Sequence, residues 1–142
     1  MLMVNYFLSF LIVLLLLTIS WTDLTKRVIN NKAVIALFFL IVPFSYFFYG
    51  NIFVLNGIVA LIVGFVLFQF GIFGGGDVKL LSVLLLAVPT EQIIPLLFFI
   101  SIIGFLLIII GFLFFRKSIR EKGLPYGIAI SGGFLSVIWM LN

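Results

Sequence analysis

Residues 92–115 read QIIPLLFFISIIGFLLIIIGFLFF, a stretch without a single charged side chain. A helix needs about 20 apolar residues to cross the hydrocarbon core of a bilayer, so this stretch is long enough for one crossing. Residues 1–22, 33–76 and 123–142 are also free of charge. The stretch 33–76 is too long for one crossing and suits a helical hairpin with its turn at Gly50 and Asn51. These four stretches predict an all-α integral membrane protein.

The composition of the whole chain supports the same class of protein. Its 142 residues are 65% hydrophobic and only 8% charged, with a mean hydropathy of +1.50. Soluble domains carry about 25% charged residues, and disordered chains are far more polar than this one. The chain has no Cys and no His, which removes thiolate catalysis, Cys-based metal sites and the commonest general base. The net charge of +4 is divided among three short loops, which indicates contact with anionic lipid and not with nucleic acid.

Charge, Gly and Pro set the boundaries of the predicted helices within a single domain over residues 1–142. We predict about six transmembrane helices, at residues 2–21, 33–49, 52–72, 78–94, 95–115 and 124–141. With six crossings, all eight Lys and Arg residues fall in loops on one side of the membrane. The positive-inside rule makes those loops cytoplasmic and places both termini outside. A five-helix arrangement, in which residues 78–115 cross once, would separate the basic loops, and we reject it for that reason.

Two of the four acidic residues stand out as candidate site residues. Asp23 lies at the cytoplasmic end of the first predicted helix, two residues after residue 21, and Asp77 follows the glycines 74–76, so both are expected on the cytoplasmic side at similar depth. Asp23 precedes Lys26 and Arg27 by three and four residues, and taken alone it favours a solvated ion pair at the membrane surface. Asp77 has no such local partner, and an ionisable residue at membrane depth is a functional candidate.

The glycines before Asp77 have two interpretations. Small residues allow membrane helices to pack closely, which is a purely structural role. They could equally open the backbone beside a carboxylate, so that a substrate strand and a water molecule reach it. A second aspartate expected at the same membrane face favours the second interpretation.

Three segments of the chain resemble one family. Gly74-x-Gly76-Asp77, followed by Val78-Lys79-Leu80, resembles the GxGD motif of intramembrane aspartyl proteases in the GxGDxKL form typical of prepilin peptidases. Asp23-Leu24 with Ile29 and Asn31 is similar to the first aspartate segment of that family, in which Pro usually stands where this chain has Asn30. The segment at 124–129, LPYGIA, is similar to the C-terminal Pro-Tyr-Gly segment of the family.

The resemblance implies an aspartyl endopeptidase with Asp23 and Asp77 as the catalytic pair. Gly74, Gly76, Lys79 and Asn31 are the supporting motif residues, with Lys79 either orienting Asp77 or binding a lipid phosphate. Two carboxyls that share a proton can activate water and polarise a peptide carbonyl, so the mechanism requires no metal and no cofactor. Which aspartate is the acid stays open, because the pair titrates as a unit.

The resemblance also implies the substrate and the location. Substrates would be prepilin-like or preflagellin-like membrane proteins, with a short basic leader, a Gly at the cut site and then a hydrophobic helix. The cut would lie at the cytoplasmic face of the cell inner (cytoplasmic) membrane. The chain is similar to the small, peptidase-only members of the family, which lack the region associated with N-methylation.

A nonenzymatic function is the alternative hypothesis. Asp77 beside broken helical backbone could be the ion site of a small ion or proton carrier, or of an assembly subunit. Transporters usually contain internal repeats, however, and residues 1–72 show no convincing similarity to residues 73–142. The peptidase is therefore the preferred interpretation.

Overall fold

A computed structural model describes residues 1–140 as a bundle of seven α-helices. They are α1 (Leu2–Lys26), α2 (Asn31–Tyr49), α3 (Val54–Gln69), α4 (Gly75–Leu84), α5 (Ile93–Phe114), α6 (Arg116–Lys122) and α7 (Tyr126–Met140). Two single turns of 3₁₀ helix, Leu85–Ala87 and Thr90–Gln92, connect α4 to α5. Residues 1–140 contain no strand, so the predicted all-helical class is confirmed. Residue 141, the predicted end of the last helix, lies outside the described residues.

Several of the helices are long and apolar enough to cross a membrane. α1, α2 and the continuous helical stretch Thr90–Phe114 each meet this requirement, and α6 with α7 forms a fourth candidate that is bent by 100°. These are three or four of the six predicted crossings. α3 has 16 residues and α4 has 10, both fewer than the about 20 that one straight crossing needs. The chain is thus a multi-pass membrane protein.

The predicted fourth helix, 78–94, differs most from the observed structure. Its helical part begins earlier, at Gly75, and α4 already ends at Leu84. Val88 is extended, with φ −115° and ψ 116°. Pro89 follows it, and a residue that precedes proline disfavours the α conformation because its backbone would clash with the proline ring. The helix therefore breaks where the sequence pattern alone suggested continuous apolar helix.

Side chains from neighbouring helices satisfy the backbone at this break. Ser45 Oγ donates to the carbonyl oxygen of Leu86 at 3.0 Å. Asn56 Nδ2 donates to the carbonyl oxygen of Val88 at 2.8 Å. Irregular backbone is tolerated in apolar surroundings only when such partners replace water. The break is therefore a supported feature that fixes α4 against α2 and α3.

Asp23, one of the two functional candidates, lies on the buried face of α1. The buried residues of this helix are Ile12, Leu16, Ile19 and Asp23, which are spaced by four, three and four residues and so share one face of the helix. The helix was predicted to end at residue 21, but it continues to Lys26 and closes where Arg27 turns into the left-handed region at φ 54°. Asp23 consequently lies on the core-facing side of the last turn.

Candidate active site

Asp23 forms a hydrogen bond with Gly127, a residue that lies more than 100 positions away in the chain. Only 7% of the surface of Asp23 is exposed. Its Oδ2 accepts a hydrogen bond of 2.8 Å from the backbone N–H of Gly127, at the beginning of α7. A Cβ built on Gly127 would lie 2.7 Å from that same oxygen. Only glycine at this position lets the backbone approach the carboxyl so closely.

This burial changes the interpretation of Asp23. The solvated surface ion pair favoured by the spacing to Lys26 and Arg27 is wrong, because the carboxyl faces the core and the helix ends at Arg27. Lys26 remains exposed. Arg27 still exerts an electrostatic attraction on Asp23, and its Nε and Nη1 atoms are buried with no hydrogen-bond partner among the described residues. Arg27 was not predicted as a site residue, although its position four residues after Asp23 was the available signal.

Asp77 lies in the first turn of α4, outside the helices that are long enough to cross a membrane. Gly74 precedes this helix as its N-cap, in extended conformation. A Cβ on Gly74 would lie 2.9 Å from Asp77 Oδ2, and one on Gly76 would lie 3.0 Å from Ile29 Cβ. The glycines therefore bring the backbone close both to the carboxyl and to the segment that follows α1.

Burial and a second carboxyl disturb the ionisation of Asp77. Burial is the larger cause and the negative charge of Asp23 the next, and together they raise the pKa of Asp77 to about 6. The backbone N–H of Gly74 hydrogen-bonds to the carboxyl and partly offsets both effects. Asp77 thus holds its proton to much higher pH than an exposed aspartate, whose pKa is about 3.9.

The two carboxyls line one open pocket of about 380 Å³. All six site residues predicted from the sequence contribute to its wall, and four residues that were not predicted complete it. The lining consists of Asp23, Arg27, Val28, Ile29, Asn31, Gly74, Gly75, Gly76, Asp77 and Lys79. We call this cavity the dyad pocket. Residues 1–140 contain no group of three or more acidic, His or Cys side chains that could hold a metal ion.

Lys79 contacts a side chain other than Asp77. Its Nζ donates to Asn31 Oδ1 at 3.1 Å, and both residues line the dyad pocket. Asn31 begins α2, and the preceding Asn30 caps that helix by accepting the backbone N–H of Lys32 at 3.0 Å. Asn30 thus performs the capping role at the start of α2, in the position where the family usually has Pro. The contact between Lys79 and Asn31 ties α4 to α2 beside the two carboxyls.

The arrangement is suited to acid–base chemistry on a substrate that enters an open cleft. Two carboxyls in one pocket, of which one has a raised pKa, can differ in protonation at the same pH, and such a pair can supply a general acid and a general base together. Backbone glycines on one wall leave room for an extended peptide strand.

A comparison with known protein families identifies the family of the chain. The sequence model of the type IV leader peptidase family matches residues 10–109 of the chain. Asp23 and Asp77 both lie inside that range, whereas Gly127 lies beyond it. No curated protein and no solved structure matches the chain.

Proposed function

The chain belongs to the type IV leader peptidase family, whose members are proteases, and from that premise we propose that it is a membrane-embedded aspartyl endopeptidase. Its substrates are prepilin-like or preflagellin-like proteins, which it cleaves after their basic leader at the cytoplasmic membrane face. The observation that carries this proposal is the meeting of Asp23 and Asp77 in one pocket, with a raised pKa at Asp77. Membership in a family of peptidases argues against the alternative of an ion carrier or a nonenzymatic subunit.

The environments of the two carboxyls favour different roles. Asp77 retains its proton to about pH 6 and is the general acid that polarises the scissile carbonyl. Asp23 accepts a hydrogen bond of 2.8 Å from the backbone N–H of Gly127, and a donor in this position favours an ionised carboxylate. Asp23 is therefore the general base that removes a proton from the attacking water. When the tetrahedral intermediate collapses and the C–N bond breaks, Asp23 gives the proton that it took from water to the leaving amine, and Asp77 takes a proton back from a hydroxyl of the intermediate, which leaves a carboxyl product and restores both aspartates.

The proposed orientation places the dyad pocket at the cytoplasmic face of the inner membrane. The pocket lies where α1 ends and α4 begins, next to Lys26, Arg27, Lys32 and Lys79. Clusters of Lys and Arg next to membrane spans favour the cytoplasmic side. Six crossings with both termini outside remain the proposed topology, in which α3 and residues 78–94 are the third and fourth crossings and Asp77 lies at the membrane face just before the fourth.

Cleavage of a defined substrate tests the proposal. The chain is purified in detergent and mixed with a membrane protein that carries a basic leader, a Gly at the junction and a hydrophobic helix. Mass spectrometry of the products should show one cut directly after the Gly. The double variant Asp23→Asn with Asp77→Asn should leave the substrate intact. Failure of the wild type to cut a panel of such leaders would overturn the proposal and favour the carrier hypothesis.

The pH dependence of cleavage follows from the pKa of Asp77. A general acid must be protonated, so kcat/KM should fall by about tenfold for each pH unit above about 6. The measurement is the initial rate of cleavage between pH 5 and 8.5, with circular dichroism at each pH to show that the helices remain folded. A rate that stays constant or rises between pH 6 and 8 would rule out Asp77 as the acid.

A further inference from the structure

A second cavity adjoins the dyad pocket between α3 and α4. It has a volume of about 570 Å³, and its walls include Leu61, Ile62, Phe65 and Val66 of α3 together with Gly75 and Lys79 of α4. We call it the α3–α4 groove. Gly75 and Lys79 line both cavities, so the groove continues from the dyad pocket.

α3 stands at the edge of the bundle. Its main contacts are with α4 and with the turn Leu85–Ala87, and its only buried residues are Asn56 and Gly57. The side chains that line the groove are large, apolar and about half exposed, for example Ile62 at 60% and Phe65 at 56%. The groove thus offers a surface that a further apolar helix can cover.

The polarity of the wall changes where the two cavities meet. The dyad pocket carries two carboxyls and the polar ends of Asn31 and Lys79, whereas the groove is apolar except for Lys79. The proposed substrates change polarity in the same way at their cut site. The leader before the cut is polar and would lie in the dyad pocket, and the helix after the cut is hydrophobic and would lie in the groove. The groove lining from Leu61 to Phe68 extends over eight residues of α3, or about 10 Å along the helix axis, which corresponds to about two turns of a docked helix.

We propose that the α3–α4 groove binds the hydrophobic helix that follows the cleavage site of the substrate. This inference rests on the proposed function and adds the route by which the substrate reaches the two aspartates. Helices commonly bind in apolar grooves through side chains repeated along one face, and in a membrane van der Waals packing drives such contacts. Gly75 itself adds no side chain where groove and pocket meet, although the Phe68 ring lies 3.5 Å from where its Cβ would be, so a larger residue at position 75 would narrow the connection between the two cavities.

Two matched substitutions on α3 test the groove. Val66 lines it and is 47% exposed, while Val63 is 51% exposed and lies outside the groove lining. Val66→Trp should lower kcat/KM for the full-length substrate by about tenfold, equivalent to about 1.4 kcal/mol, because the indole fills the groove. It should leave cleavage of a short soluble peptide, which contains the leader and cut site without the helix, within about twofold of wild type. Val63→Trp should leave both rates within the same range.

Cross-linking gives an independent readout of the same proposal. The chain contains no Cys, so Val66→Cys and Val63→Cys each introduce one unique thiol. With a single Cys placed one or two turns after the cut site of the substrate, Val66→Cys should form the disulfide several times faster than Val63→Cys. Equal cross-linking, or equal loss of activity in both Trp variants, would overturn the inference and identify the groove as ordinary lipid-facing surface. If the wild type cuts neither substrate, the proposed function itself fails, and the groove proposal fails with it.

Discussion

Replacing Asp77 by asparagine should abolish peptide cleavage and at the same time stabilise the protein at neutral pH. The loss of activity should be at least about 1000-fold, because the amide can neither donate the catalytic proton nor share one with Asp23. Asp23→Asn should cause a loss of similar size. Residual cleavage within about tenfold of wild type in either variant would contradict the two-aspartate mechanism.

The stabilisation follows from the linkage between protonation and folding. The folded state raises the pKa of Asp77 to about 6, so it binds this proton more tightly than the unfolded chain does. The stability of the wild type therefore falls as the pH rises from about 4 to about 6 and stays lower above that. An asparagine at position 77 does not ionise, so the variant does not lose stability in this way as the pH rises. The full shift corresponds to roughly 3 kcal/mol, and screening by water in the open pocket reduces the expected gain to about 1–2 kcal/mol.

Thermal unfolding in detergent at two pH values measures this effect. Asp77→Asn should have a higher Tm than wild type at pH 7.5, and the difference should disappear at about pH 4, where Asp77 is protonated in the folded wild type. Glu121→Gln is the matched control, since Glu121 is an exposed acid in α6 outside the dyad pocket. It should change neither activity nor Tm. An equal gain at both pH values would show that the stabilisation has a cause other than ionisation.

Gly127→Ala should lower kcat by about 100-fold, although Gly127 is not part of the dyad pocket lining. The added methyl would lie 2.7 Å from Oδ2 and 3.2 Å from Cγ of Asp23, so the carboxyl must move and its hydrogen bond to the Gly127 N–H is disturbed. A displacement of about 1 Å at a catalytic group can cost about 100-fold in rate. KM should change little, because Gly127 lies outside the lining of the dyad pocket.

A second glycine of α7 provides the control. A Cβ at Gly132 would lie 2.9 Å from Ile103 Cδ1, the flexible end of a side chain that can rotate away. Gly132→Ala should therefore keep kcat within about twofold of wild type, with helicity and expression equal for both variants. If the two alanine variants lose activity equally, the effect comes from the packing of α7 and not from the position of Asp23.

Some features of the site were readable from the sequence because they are local. The motif from Gly74 to Lys79 carries its glycines and its acid within a few residues, so their proximity follows from chain connectivity. The spacing of Ile12, Leu16, Ile19 and Asp23 also contains the information that Asp23 faces the core. The spacing to Lys26 and Arg27 suggested a surface ion pair instead. The sequence does not show where the helix ends, and so it did not show that the helix continues past Asp23 to Lys26.

The sequence by itself determined the membrane environment, the helical class and the family, because charge-free stretches and a short motif carry that information without reference to packing. Only the tertiary structure decided that Gly127 would donate its N–H to Asp23, that Lys79 would contact Asn31, and that α4 would break before Pro89 with partners from α2 and α3. Each of these contacts joins residues at least 32 positions apart, and the way in which helices pack against one another sets which distant residues meet. The charge pattern predicted that the two carboxyls lie at one membrane face, whereas the packing of α1, α4 and α7 brought them into a single pocket.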